Sequence, residues 1–137
     1  MLFYQILREW PPGYGGIERV AHELASSFDG LIYSLDCSRV RHDCDDAFPV
    51  KYIRRYMPSL NIFDRLYLPL PSRALFSLLF SREVLIGHLP SPAILLSLVL
   101  ARLLRPHRTV IAYWHSFLEP DPGFIGFCYR IYQYFSL

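Results

Sequence analysis

No apolar run in this sequence is long enough to cross a bilayer. The longest, Ala93 to Ala101 continued past Arg102 to Leu104, falls short of the roughly 18 to 20 residues that a spanning helix needs. No secretory leader is expected either: Met1-Leu2-Phe3 has no basic start, and Arg8 and Glu9 interrupt the opening apolar stretch. A cytoplasmic chain is the expectation. Cysteine is scarce, with only Cys37, Cys44 and Cys128, so the thiols cannot all pair within one chain and are expected reduced. Cys37, His42 and Cys44 lie close together in CSRVRHDC, but the paired CxxC spacing of zinc sites is absent. A solvated loop, without metal, is expected there. Charge is also sparse, at 19% of residues against 53% hydrophobic. That is too apolar for a disordered chain and too interrupted by Arg, Asp and Pro for a membrane protein. Repeats and low-complexity segments are missing too, and 137 residues supply one domain with a modest core.

What is present is an alternation of short apolar runs with helical rhythms. Leu2 to Leu7 reads as a strand. From Ile17 the apolar positions Ile17, Val20, Ala21, Leu24, Ala25 and Phe28 follow steps of three and four, an amphipathic helix with Glu18, Arg19, His22 and Glu23 off its apolar face. Asp29-Gly30 is expected to end it through a left-handed glycine. Leu31 to Leu35 and Val50 to Ile53 follow as strands. Residues 56 to 72, with prolines at 58, 69 and 71, read as a loop or broken helix. Ala74 to Phe80 is a helix, Val84 to Ile86 a buried strand, and Ala93 to Leu104 a helix with Pro92 suited to its first turn. Thr109 to Trp114 is a strand, and Phe124 to Phe135 a further helix. The alternation predicts an α/β fold with a mostly parallel sheet.

In such a sheet ligands bind at the carboxyl ends of the strands, where this sequence places its unusual residues. The first strand ends in PPGYGG, the fourth in GHLPSP and the fifth in HS, so Gly15, Gly16, His88 and His115 are expected on one rim. The glycine loop is not a P-loop, because no Lys-Ser or Lys-Thr follows it. It nearly fits the dinucleotide fingerprint, with Gly13 and Gly15 as G-x-G and Asp36 after the second strand, but Glu18 stands where the third glycine belongs. Backbone amides and a helix amino terminus facing an anion remain one reading, a tight turn without ligand the other. Glu18 suits a helix start for dipole reasons alone, and Arg19 is either an anion contact or a solvated side chain. His115 can hydrogen-bond a substrate hydroxyl or carry a proton near neutral pH, or be satisfied locally. His88 has the same two readings. Ser116 is no hydrolase nucleophile, since the G-x-S-x-G elbow is lacking.

The stretches PPGYGGIERVAHELA, HLPSP and VIAYWHS, in this order and spacing, resemble the amino-terminal domain of GT-B glycosyltransferases of family 4. The likeness runs through nearly the whole of residues 1–137. It implies a Rossmann-like domain that binds mainly the acceptor, facing a carboxyl-terminal domain that binds most of the nucleotide-sugar donor. It also implies sugar transfer from a nucleoside diphosphate to an acceptor hydroxyl, as in glycan or glycolipid biosynthesis, without metal or other cofactor. Carried over, Gly15 and Gly16 approach the donor diphosphate and His115 contacts the transferred sugar. His88, Ser116 and Arg19 shape the cleft or acceptor site. The donor domain is absent from this sequence, so the expectation is a fragment or component that needs that domain or a partner chain, inactive alone. An NAD-type dinucleotide module and a non-catalytic interaction protein are the competing readings; no nucleic-acid partner is expected.

Basic residues gather between 49 and 82: Lys51, Arg54, Arg55, Arg65, Arg73 and Arg82, with Asp64 the lone acid. Leu60, Ile62, Phe63, Leu66, Tyr67 and Leu68 lie among them. Contact with an anionic membrane face or a lipid-linked acceptor, centred on Arg54 and Arg55, is one expectation. Arginine stems lying over core aromatics are the other.

Overall fold

The computed structural model describes residues 2–9, 15–35, 51–62 and 66–115. Seven strands and three helices lie within them. They are β1 (Phe3–Leu7), α1 (Gly16–Ser27), β2 (Gly30–Ser34), β3 (Ile53–Tyr56), β4 (Ser59–Ile62), β5 (Leu66–Pro69), α2 (Arg73–Phe80), β6 (Val84–Leu89), α3 (Pro92–Leu104) and β7 (Val110–Trp114). Five strands form one sheet in the order β3-β2-β1-β6-β7, and every pairing in it is parallel. The fold is Rossmann-like α/β, as the alternation of elements predicts. The Phe124–Phe135 helix, Asp36 and the Cys37–Cys44 segment lie outside the described residues.

Strand β1 lies at the centre, and the chain winds outward from it in both directions. Right-handed crossovers then place helices on opposite faces. α1 packs on β1 and β2, whereas α3 packs on β6 and β7. Two buried clusters result. Leu7, Ala21, Ala25, Ile32 and Tyr52 fill the α1 side; Ile6, Tyr33, Leu78, Leu85, Leu89, Ile94 and Leu98 fill the other. The pleat alternates these along each strand, so Phe3, Gln5 and Leu7 belong to the α1 side. Gly87 lets α3 come close: a Cβ there would lie 2.6 Å from Leu98 Cδ1 and 2.9 Å from Cγ. The outer side of α3 stays apolar and exposed at Leu96, Val99, Leu103 and Leu104.

Four expectations need correction. Within residues 56–72, read as loop or broken helix, Ser59–Ile62 and Leu66–Pro69 instead form an antiparallel strand pair, β4 and β5. Its prolines stand where they remove no essential ladder bond, with Pro58 before β4 and Pro69 ending β5. β3 begins at Ile53, where the expected Val50–Ile53 strand ends. Helix α1 closes without a left-handed glycine: Phe28 caps it in extended conformation, its N–H donating to the Leu24 carbonyl, and Gly30 already belongs to β2. Phe28 therefore leaves the apolar face and is 60% exposed, its ring set edge-on to Phe3. Finally, Glu18 is buried, although the rhythm of α1 places it off the apolar face.

Among the described residues no helix is long and apolar enough to cross a membrane. Arg54 and Arg55 lie on β3, at the sheet edge, with Arg55 and the neighbouring Ile53 and Tyr56 exposed.

Candidate functional site

The strand order reverses between β1 and β6, since β2 and β3 continue on one side and β7 on the other. In open α/β sheets this switch point opens a crevice at the carboxyl ends of the strands. Register fixes what lines it. Gln5 pairs with Ile86 across β1 and β6, and His88 pairs with Tyr113 across β6 and β7. His115 follows β7, held by its backbone N–H donating to the Leu89 carbonyl at 3.2 Å. The Leu89–Pro90 peptide beside it is cis.

A continuous polar chain crosses the switch point. Gln5 Nε2 donates to the carbonyl of Ala21 on α1 at 3.0 Å. Gln5 Oε1 is 2.7 Å from His88 Nε2, and His88 Nδ1 is 2.7 Å from His115 Nε2. The two imidazoles lie in nearly parallel planes, 23° apart, with centroids 5.0 Å apart. A 2.7 Å separation between nitrogens is a hydrogen bond and too short for ring-on-ring contact, so they meet edge to edge. The Tyr113 ring leans on His115, centroids 4.7 Å apart. Gln5 and His88 are buried, while His115 is half-buried and reaches the rim. Burial, reinforced by repulsion from His115, pushes the His88 pKa down to about 3; burial alone lowers that of His115. Desolvation penalises the imidazolium, and among the described residues no carboxylate acts on either ring to offset it.

The glycine turn occupies the same rim at the start of α1. Gly15 is the N-cap and Gly16 the first helical residue, both exposed. The two glycines have different neighbours. A Cβ on Gly15 would lie 2.0 Å from Glu18 Oε2, whereas one on Gly16 would meet nothing within 4 Å. The Glu18 carboxylate thus folds back onto the N-cap, as an acidic side chain at the third helical position is placed to do. Burial raises its pKa, and Oε2 has no hydrogen-bond partner among the described residues. Arg19 points to solvent. Gly15→Ala should therefore cost at most about 1 kcal/mol, since only the far end of the flexible Glu18 side chain has to give way. Gly16→Ala should be neutral or stabilise by up to about 1 kcal/mol. Urea unfolding of both variants checks this, and Gly15→Ala/Glu18→Ala should recover most of the loss.

The structure thus brings Gly15, Gly16, His88 and His115 to one rim, leaves Arg19 on its outside, and keeps Arg54 and Arg55 at the β3 edge. Ser116 lies outside the described residues. Gln5 escapes sequence reasoning, although one signal marks it: an amide at the centre of an otherwise apolar strand, on the side where Phe3 and Leu7 are buried. No group of three potential metal ligands occurs among the described residues. Two clefts lie away from this rim, one between α3 and β7 around Leu98 and Val110, the other around Arg82, Arg105 and Arg108. Comparison with protein-family models, with curated proteins and with solved structures finds no match to this chain.

Proposed function

We propose that this chain is the acceptor-side, Rossmann-like half of a family 4 GT-B glycosyltransferase, moving sugar from a nucleotide-sugar donor to a glycan or lipid-linked acceptor hydroxyl. The observation that carries the reading is the convergence of the Gly15–Gly16 turn, His88 and His115 at the carboxyl ends of β1, β6 and β7. Those three motifs also carry the sequence resemblance. In this reading the amides at the start of α1 face the departing diphosphate, whose growing negative charge preorganised N–H donors stabilise. Gly16 has the open approach, and Gly15 accommodates Glu18. His115 contacts the transferred sugar. Arg54 and Arg55 offer cations to an anionic lipid surface at the sheet edge, at the cytoplasmic face of a membrane. A carboxyl-terminal donor-binding domain or partner chain supplies the opposite wall of the cleft, because both reacting groups must be held in one geometry. No metal or other cofactor is required.

Isothermal titration against UDP-glucose, GDP-mannose and NAD tests the reading. The expected result is weak binding of a nucleotide sugar, no binding of NAD, and at least a tenfold loss in Gly16→Val, whose side chain would block approach to the amides. NAD binding, or equal affinity in a folded Gly16→Val, overturns it. Multiple-turnover transfer should appear only when the donor-binding half is supplied.

A further inference from the structure

Each hydrogen bond in the polar chain has one possible direction, and together they fix every proton. A backbone carbonyl only accepts, so the Gln5 group facing Ala21 is its NH₂ and the group facing His88 is its oxygen. That oxygen also only accepts, so His88 Nε2 carries hydrogen. Buried, with no carboxylate among the described residues acting on it, His88 holds a single ring proton, which leaves Nδ1 as a lone pair. Two lone pairs cannot face each other at 2.7 Å, so His115 Nε2 must be the donor across the gap. With its one proton committed there, His115 has a bare Nδ1, for which no partner exists among the described residues.

We propose that Gln5 and His88 are positioning residues that hold His115 in its Nε2–H tautomer, so that the site receives its ligand through the Nδ1 lone pair and accepts a hydrogen bond from a hydroxyl. The identification of that hydroxyl with one on a nucleotide sugar rests on the glycosyltransferase reading. The proton arrangement itself does not. A fully ionised anion oxygen would need a donor at the same atom, so such an anion is left to the helix amides. The direction is set at Ala21, two hydrogen-bonded side chains away from the rim, which gives a buried glutamine on β1 control over what His115 binds.

The test is nitrogen NMR on the full chain labelled with ¹⁵N-histidine, the His115 signals being assigned by their loss in His115→Phe. At pH 7.5, Nδ1 of His115 should show the unprotonated shift and Nε2 the protonated one. Gln5→Glu should reverse this. A carboxylate beside His88 Nε2 favours a second proton on His88, whose Nδ1–H then donates and forces His115 to carry its proton on Nδ1. Gln5→Met, close in volume, removes the acceptor and should leave His115 a tautomer mixture; either variant suffices if the other misfolds. A protonated Nδ1 in the wild type overturns the proposal, as does an unchanged tautomer in a folded variant. Ligands separate the two readings. UDP-glucose or GDP-mannose should move the Nδ1 signal, while sulfate, which carries no proton at this pH, should not. Protonation of Nδ1 on adding sulfate overturns the hydroxyl assignment. If neither nucleotide sugar binds while Gln5→Glu still reverses the tautomer, the proton arrangement stands and the glycosyltransferase reading fails.

Discussion

Arg108→Ala should lower the unfolding free energy by about 3 kcal/mol, the scale of stripping a buried charged donor from the groups it satisfies. Arg108 is only 4% exposed. Its Nη1 donates to the Leu78 carbonyl at 2.5 Å and its Nε to the Glu83 carbonyl at 2.6 Å. Leu78 belongs to the last turn of α2, where carbonyls have no partner within the helix and the dipole favours a cation. The guanidinium therefore caps α2 from the far end of the next crossover and ties it to the entrance of β6. Burial lowers the Arg108 pKa, with Tyr4, Tyr33 and Glu83 acting in the opposite direction. Lysine keeps the charge but not the fork that reaches two carbonyls, so Arg108→Lys should recover less than half of the loss. Arg102, which donates from the surface to the Arg108 carbonyl, should cost under about 1 kcal/mol when changed to alanine. Urea midpoints of the three variants measure this order, and an Arg108→Ala midpoint equal to that of Arg102→Ala would refute it.

Acidification from pH 7.5 to pH 5 should remove about 2 kcal/mol of stability through His88 alone. An unfolded histidine takes up a proton near its ordinary 6.5, whereas His88 in the native state resists until about pH 3. The unfolded state therefore binds more protons throughout that interval. Stability is full above pH 6.5 and falls by about 1.4 kcal/mol for each unit below it. His115, also lowered, acts in the same direction. Glu18 acts in the opposite one: its raised pKa lets the native state take up a proton first, which favours folding as pH falls toward the carboxylate range. Thermal melts at pH 7.5 and 5 should show a steep loss in the wild type and a shallower one in His88→Gln. Identical slopes would remove His88 as the cause.

β1, β2, β6 and β7 were legible in the sequence because they are short apolar runs between turn residues, and hydrophobic period reports burial directly. β3, with Arg54 and Arg55 at the sheet edge, carries no such run and was misplaced. Where a residue is buried for a different reason, the period misleads. Glu18 is covered because it folds onto Gly15, a local backbone matter that no helical rhythm records. Residues 59–69 read as broken because of their prolines, yet a two-stranded hairpin tolerates proline at its ends. The rim holding Gly15, His88 and His115 follows from strand polarity alone. What the sequence hides is the depth of that site. Gln5 becomes part of it only through the pairing of β1 with β6, a contact between parts of the chain remote from each other.

That remoteness has a consequence for synthesis. Gln5 and His88 stand 83 positions apart, and β1, which precedes every other strand of the sheet in the chain, is the one needed at its centre. β2 can join it early, but the other edge of β1 must wait for Val84–Leu89. During that wait a nascent chain carries an unpaired apolar strand edge, the kind of surface that recruits wrong partners and calls for chaperones. Arrival of β6 closes the edge and joins Gln5 to His88 in the same event. β7, adding to the free edge of β6 later, then brings His115 and completes the candidate site.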